Sequence, residues 1–142
     1  MISIFTPTHN PQYLDECLES LLAQTYKNWE WIVVFNGKAA EDGHGWLRQA
    51  PDERIRVVVA GDDTSGVGAV KREACSLANG EYLVELDHDD LLLPDALKSI
   101  KKAFDTHQNA VFVYSDYAQI DADGSRLESN FIILKQVCGL LI

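Results

Sequence analysis

Tyr82-Leu83-Val84-Glu85-Leu86-Asp87-His88-Asp89-Asp90 decides the fold. A short apolar run ends abruptly in three carboxylates within four residues. Leu93, Leu97, Ile100 and Phe104 then recur at helical spacing. This strand, acidic loop and helix form one unit of a pattern that repeats toward the N-terminus. Ile2–Thr6 is a first strand, ending at Pro7, and Asn10-Pro11 then reads as a capped helix start. Leu14, Cys17, Leu18, Leu21 and Leu22 form one buried helical stripe. Trp31–Phe35, apolar throughout, suits a strand covered on both faces, and Asn36-Gly37 turns the chain. Lys38–Ala50 is a helix carrying Trp46 and Leu47, and Ile55–Ala60 is a third strand. Val67, Val70, Ala74, Leu77 and Ala78 stripe another helix, which is expected to close on the glycine of Asn79-Gly80. Val111–Ser115 is a fifth strand, and Asp121-Ala122-Asp123-Gly124 is a hairpin turn.

Alternating strands and helices predict an α/β protein, a three-layer α/β/α sandwich around a mostly parallel sheet. Such sheets bind ligands at the carboxyl ends of their strands. The unusual residues fall there: Pro7-Thr8-His9-Asn10, Asn36-Gly37, Asp62-Asp63 and Asp87–Asp90.

Length and charge exclude several classes. A chain of 142 residues buries roughly 70% of its unfolded surface, enough for one core, so residues 1–142 are expected to form a single domain. A net charge of −10 argues against duplex nucleic acid and against an acidic membrane surface. No run reaches the roughly 20 apolar residues of a membrane span, and the start has no basic region of a signal peptide. Cys17, Cys75 and Cys138 are widely spaced, as fits core cysteines in a reducing compartment. The expectation is a cytoplasmic protein. The apolar stretch Phe131–Ile142 is a candidate surface for packing on the sheet or for self-association.

The acidic turn carries the chemistry. At about 5 Å and an effective dielectric of 20, each carboxylate pair repels by on the order of 3 kcal/mol. A hard divalent cation, Mn²⁺ or Mg²⁺, is the natural neutraliser and would also take phosphate oxygens. The plainer reading is a turn whose Asp89 or Asp90 caps the next helix, and both can hold together. Ser65-Gly66-Val67-Gly68-Ala69-Val70-Lys71-Arg72 brings a glycine-containing helix start and two cations toward an anion. It lacks the spacing of a P-loop or a dinucleotide fingerprint. His9 and His88 follow two different strands and are candidates to line one cleft. Asp87-x-Asp89 as a phosphatase nucleophile fits poorly, since it follows the fourth strand with Leu91 where Thr or Val is usual.

Taken in order, these segments resemble family 2 glycosyltransferases of the GT-A fold. The resemblance runs from Ile2 to about Arg126 through Ile4-Phe5-Thr6-Pro7-Thr8-His9-Asn10, Ser20-Leu21-Leu22-x-Gln24-Thr25-Tyr26 and Trp29-Glu30-Trp31-Ile32-Val33-Val34. It continues through Gly66 with Lys71-Arg72, Ala78-Asn79-Gly80-Glu81 leading into the acidic turn, Pro94-Asp95-Ala96-Leu97 and Val113-Tyr114-Ser115-Asp116-Tyr117. It implies a metal-dependent, inverting transfer of sugar from a nucleotide-diphospho-sugar, UDP-linked first of all, to a carbohydrate or lipid-linked acceptor. Pro7, Thr8 and Asn10 would hold the nucleoside and Asn36 the base. Gly66, Lys71 and His88 would line the donor site. Asp87 would face the ribose and sugar, and Asp89, with Asp87, would ligate the cation.

The chain departs from the family pattern in three places. Phe35-Asn36-Gly37-Lys38 replaces the usual Asp-Asp-Gly-Ser, Lys71 stands where Arg is frequent, and Thr64 stands where Asn is common. Only 52 residues follow Asp90, about half the usual distance to the family's base. None of the downstream carboxylates sits in that base motif, and Asp116 is the one candidate taken from them. The expectation is a minimal or truncated donor half. A binding module that needs a partner for transfer is the alternative.

Overall fold

The structure, a computed structural model, describes residues 1–37, 45–46, 52–61 and 66–125. Four strands, β1 (Ile2–Thr8), β2 (Trp29–Phe35), β3 (Ile55–Val59) and β4 (Tyr82–Glu85), form one sheet in the order β3-β2-β1-β4. Every pairing is parallel, from Ile2 opposite Trp29 to Thr8 opposite Phe35, and with Phe5 opposite Glu85. Among the described residues they are accompanied by α1 (Leu14–Leu22), α2 (Val67–Ser76) and α3 (Ala96–Thr106). The α/β class and the mostly parallel sheet expected from the alternation are present.

The strand order explains the layers. The chain steps from β1 to β2 to β3 and then returns across β1 to β4, so right-handed connections put α1 and α2 on opposite faces. On the α2 face, Phe5, Ile32 and Val34 pack with Val70 and Ala74. The alternate residues Ile4, Trp31 and Val33 are fully buried on the other face. All seven residues of β2 are buried, as a central strand covered on both sides requires.

Two compact units divide the chain, Met1–Lys98 and Ser99–Ile142. The first contains the sheet. The second, in its described part, holds the later turns of α3 and a stretch outside any helix or strand. It ends in a turn in which the Asp121 amide donates to the Ser125 carbonyl at 3.0 Å and Gly124 has φ +81°. That turn is the one expected at Asp121–Gly124.

Several expectations are corrected. The first helix starts at Leu14, three residues beyond Pro11. Asn10 instead closes a local turn, its Oδ1 accepting from the Gln12 amide at 3.2 Å, because a short amide side chain competes with helix start geometry. The helix α2 ends at Ser76 on Leu77, and Gly80 does not cap it. Gly80 is needed for close approach: a Cβ there would lie 2.6 Å from Ser3 Oγ and 2.7 Å from the Ser3 backbone nitrogen. Residues 111–115 are not a strand, since they have no ladder partner among the described residues and Val111 and Phe112 are exposed. Neither Asp89 nor Asp90 caps α3, which starts at Ala96. Of the helix expected over 38–50, Gly45 and Trp46 are helical and the rest lies outside the described residues, as do Asp62-Asp63, Thr64, Cys138 and the stretch 131–142.

Candidate functional site

The carboxyl ends of β1 and β4 lie side by side at the point where the strand order reverses. That reversal leaves a crevice in open parallel sheets. His9 leaves β1 there and Asp87–Asp90 leave β4. Their imidazoles meet edge to face, with His9 and His88 ring centroids 5.0 Å apart and planes at 80°. Residues 79 positions apart in sequence thus share one cleft.

The acidic segment is a tight turn, closed by the Asp90 amide donating to the Asp87 carbonyl at 3.1 Å. Two buried groups hold its base. Thr6 Oγ1 donates to the Leu86 carbonyl at 2.7 Å and accepts from Trp31 Nε1 at 2.9 Å. From α1, the Cys17 thiol reaches the carbonyls of Asp90 at 3.2 Å and His88 at 3.3 Å. Burial, reinforced by the charges of Glu16, Asp90 and Asp89, pushes the Cys17 thiol up to about 12, so it remains a neutral donor.

One turn further along α1, Ser20 and Gln24 continue the support. Ser20 Oγ accepts from the Leu92 amide at 3.3 Å. Gln24 is fully buried, and its Nε2 donates to the Leu93 carbonyl at 2.8 Å. Its Oε1 accepts from the Leu97 amide at 3.1 Å, so Gln24 serves one of the open N–H groups at the start of α3. Thr25 completes the set, donating to Asp95 Oδ1 at 2.7 Å while its amide donates to the Pro94 carbonyl at 2.8 Å. Cys17, Ser20 and Gln24 lie three and four residues apart, on one face of the helix. That polar line beside the apolar stripe was readable in the sequence, but its target was not.

Burial, and then the charges of Asp89 and Asp87, raise the Asp90 carboxyl above the ordinary aspartate value, with His88 opposing. The carboxylates of the turn therefore repel one another. Among the described residues no three His, Cys, Asp or Glu side chains converge on one metal position. The donor set on this turn suits a hard ion that takes one or two carboxylates from the protein and fills its remaining positions with phosphate and water oxygens.

The remaining predicted residues fall as follows. Pro7 and Thr8 end β1, but the Thr8 hydroxyl is committed to the loop, donating to the Asn10 carbonyl at 2.8 Å. Asn36 follows β2, tied by its amide to the Thr8 carbonyl at 2.9 Å, so the β1 and β2 loops are adjacent. Gly66 precedes α2 with φ +85° and is exposed. Lys71 on α2 is paired with Glu85, the last residue of β4. Asp116 lies in the second unit, exposed and outside any helix or strand.

Residues 3–136 match the family profile described as Glycosyl transferase family 2. The chain belongs to that family. Its curated relatives include O-antigen biosynthesis protein RfbC of Myxococcus xanthus, 32% identical over 89% of this chain and 10% of that protein. The putative teichuronic acid biosynthesis glycosyltransferase TuaG of Bacillus subtilis is 30% identical over 90% of this chain and 51% of TuaG. The chain thus spans between a tenth and about half of the length of these two relatives. The crystal structure of Staphylococcus aureus TarS 1-349 superposes with a TM-score of 0.66 at 24% identity, covering 75% of this chain and 33% of that one. TarS has also been solved with UDP-GlcNAc and with UDP. The family 2 membership and the GT-A-type parallel sheet expected from the motifs are both established. Among the described residues no helix is long and apolar enough to cross a membrane.

Proposed function

We propose that this family 2 chain is the donor-binding part of a metal-dependent glycosyltransferase that takes a nucleotide-diphospho-sugar, UDP-linked in the first instance, and passes the sugar to a carbohydrate or lipid-linked acceptor with inversion. The observation that carries this reading is the acidic turn Asp87–Asp90, fixed from below by Thr6 and Cys17 at the strand-order reversal beside His9. Diphosphate and three carboxylates are all anionic and share a pocket only with a cation between them. Asp87 and Asp89 would hold Mn²⁺ or Mg²⁺. When bound, that ion supplies charge stabilisation for the departing diphosphate.

The chain's own residues do the rest. His9 and His88 form one wall of the cleft, and the imidazole edges offer N–H donors to the donor's oxygens. Asn36 carries an amide that can pair with the edge of a base without charge, in place of the family's carboxylate. The start of α2, with Gly66 ahead of it, has no side-chain cap, which would leave backbone N–H groups for a phosphate. UDP-GlcNAc and UDP in the TarS structures, and the polysaccharide names of the relatives, support a nucleotide-sugar donor and a glycan acceptor.

Calorimetric titration of UDP with and without Mn²⁺ tests the reading. Binding that requires Mn²⁺ supports it, and equal or absent binding in both arms overturns it. Release of UDP from UDP-sugars then separates a transferase from a module that only binds.

A further inference from the structure

The Lys71 ammonium is engaged with Glu85. Lys71 sits in the second turn of α2, and Glu85 is the last residue of β4, opposite Phe5 in register and two residues before Asp87. Both side chains are open to solvent, 35% and 41% exposed. Glu85, and more weakly Asp87, raise Lys71, which places this cation within electrostatic reach of the acidic turn. A carboxylate at position 85 adds a fourth negative charge to a site that must receive a diphosphate.

We propose that Glu85 acts as an internal competitor for the donor's diphosphate, holding Lys71 in an ion pair from which the incoming phosphate must take it. The proposal rests on the donor-site reading above. In the free chain, Lys71 is parked beside the acidic turn and partly offsets its repulsion. When the donor and cation enter, the phosphate oxygens replace the Glu85 carboxylate as partners of the ammonium. A lysine suits this exchange because its single charged point on a flexible stem changes partners without the fixed fork geometry of arginine. Glu85 is therefore a positioning residue that weakens donor affinity and favours release of the nucleotide product. An exposed pair of this kind is weak, so its effect on affinity is a factor of a few.

The test is a double-mutant cycle on UDP binding in Mn²⁺ at fixed ionic strength, with thermal melts run in parallel. Glu85→Gln is expected to tighten UDP binding about 2- to 5-fold, and Lys71→Met to weaken it. In the Lys71→Met background the Glu85→Gln gain should largely disappear, because there is no cation left to release. Glu85→Ala, which removes the carboxylate together with its stem, should follow Glu85→Gln. An equal gain in both backgrounds would mean plain repulsion by Glu85 and overturns the competitor role. Unchanged UDP affinity with a lowered melting temperature would mean a structural ion pair and overturns it as well. A wild-type chain that binds no UDP in Mn²⁺ sinks the donor-site reading and this one together. Wild-type binding with an unaltered Glu85→Gln affinity sinks this one alone.

Discussion

The Thr6 hydroxyl donates to the carbonyl of Leu86 at 2.7 Å, joining the middle of β1 to the residue that introduces the acidic turn. The same oxygen accepts the indole N–H of Trp31 from β2, so one buried side chain ties three adjacent strands at their site end. Thr6→Val keeps the shape and removes both bonds, leaving the Trp31 indole N–H and the Leu86 carbonyl without a partner. It is expected to cost about 1–3 kcal/mol in urea denaturation and to weaken Mn²⁺-dependent UDP binding. Thr6→Ser retains the hydroxyl and should recover most of both.

Asp89→Ala removes a proposed ligand and also relieves repulsion within the turn. The expected outcome is a fold of wild-type or slightly higher melting temperature whose UDP affinity no longer responds to Mn²⁺. Retention of the wild-type Mn²⁺ response would show that the cation is held elsewhere.

At the opposite end of the sheet, Glu30 accepts from Ser3 Oγ and from the Asn79 amide, both at 2.6 Å, and from Asn79 Nδ2 at 3.0 Å. Burial pushes its carboxyl up, but these bonds and the Arg56 charge together hold it below the ordinary glutamate value. The unfolded chain therefore takes up this proton first as the pH falls. The stabilisation is fully present above the unfolded pKa, about 4.3, and is lost as the pH drops through the lower folded value. Glu30→Gln should lower stability at neutral pH by about 1–3 kcal/mol and flatten the acid limb of a stability–pH curve followed by circular dichroism.

Gly80→Ala drives a methyl group into Ser3, and one of the two atoms it meets, at 2.7 Å, is backbone that cannot rotate away. A loss of about 1–3 kcal/mol is expected, read as a lowered melting temperature with no change in the residues of the acidic turn.

Cys17 should resist alkylation in the folded chain, because its thiol is buried, donates to the turn and titrates only near 12. Cys75, half-buried on α2, should react before Cys17. Mass spectrometry after a timed iodoacetamide pulse, with and without urea, distinguishes the two. Early labelling of Cys17 in the native chain would show that the turn opens readily.

Much of this protein was legible from patterns a few residues long. The buried run Trp31–Phe35, four of the five residues of the first stripe (Leu14, Cys17, Leu18 and Leu21) and the turn at Gly124 are local signals and match the structure, whereas Leu22, expected on the same buried stripe, is exposed at the end of α1. Val111–Ser115 misled because β propensity describes a half-buried pleated surface and supplies no partner strand. Gly80 misled because a glycine after a helical stripe signals a C-cap equally well when its real constraint is a neighbour 77 residues away. The motifs around Glu30, Asn79, Ser20 and Gln24 were visible as segments, but their work was not, since each bonds across a long stretch of chain.

The amino-acid sequence by itself determined the alternation of strands and helices, the position of the carboxylate cluster after the fourth strand, and the family. These follow from side-chain periodicity and residue order, which are properties of short windows. Only the tertiary structure decided that β4 returns to lie against β1. That return brings His9 to His88, gives Thr6 its hold on Leu86, and sets Cys17 and Gln24 beneath the turn and its following segment. It also revealed that Lys71, read from the sequence as a free cation for an anionic ligand, is already engaged by Glu85. The physical reason is the same in each case: burial of a continuous parallel sheet chooses the strand neighbours, and the neighbours choose which distant polar groups must satisfy one another.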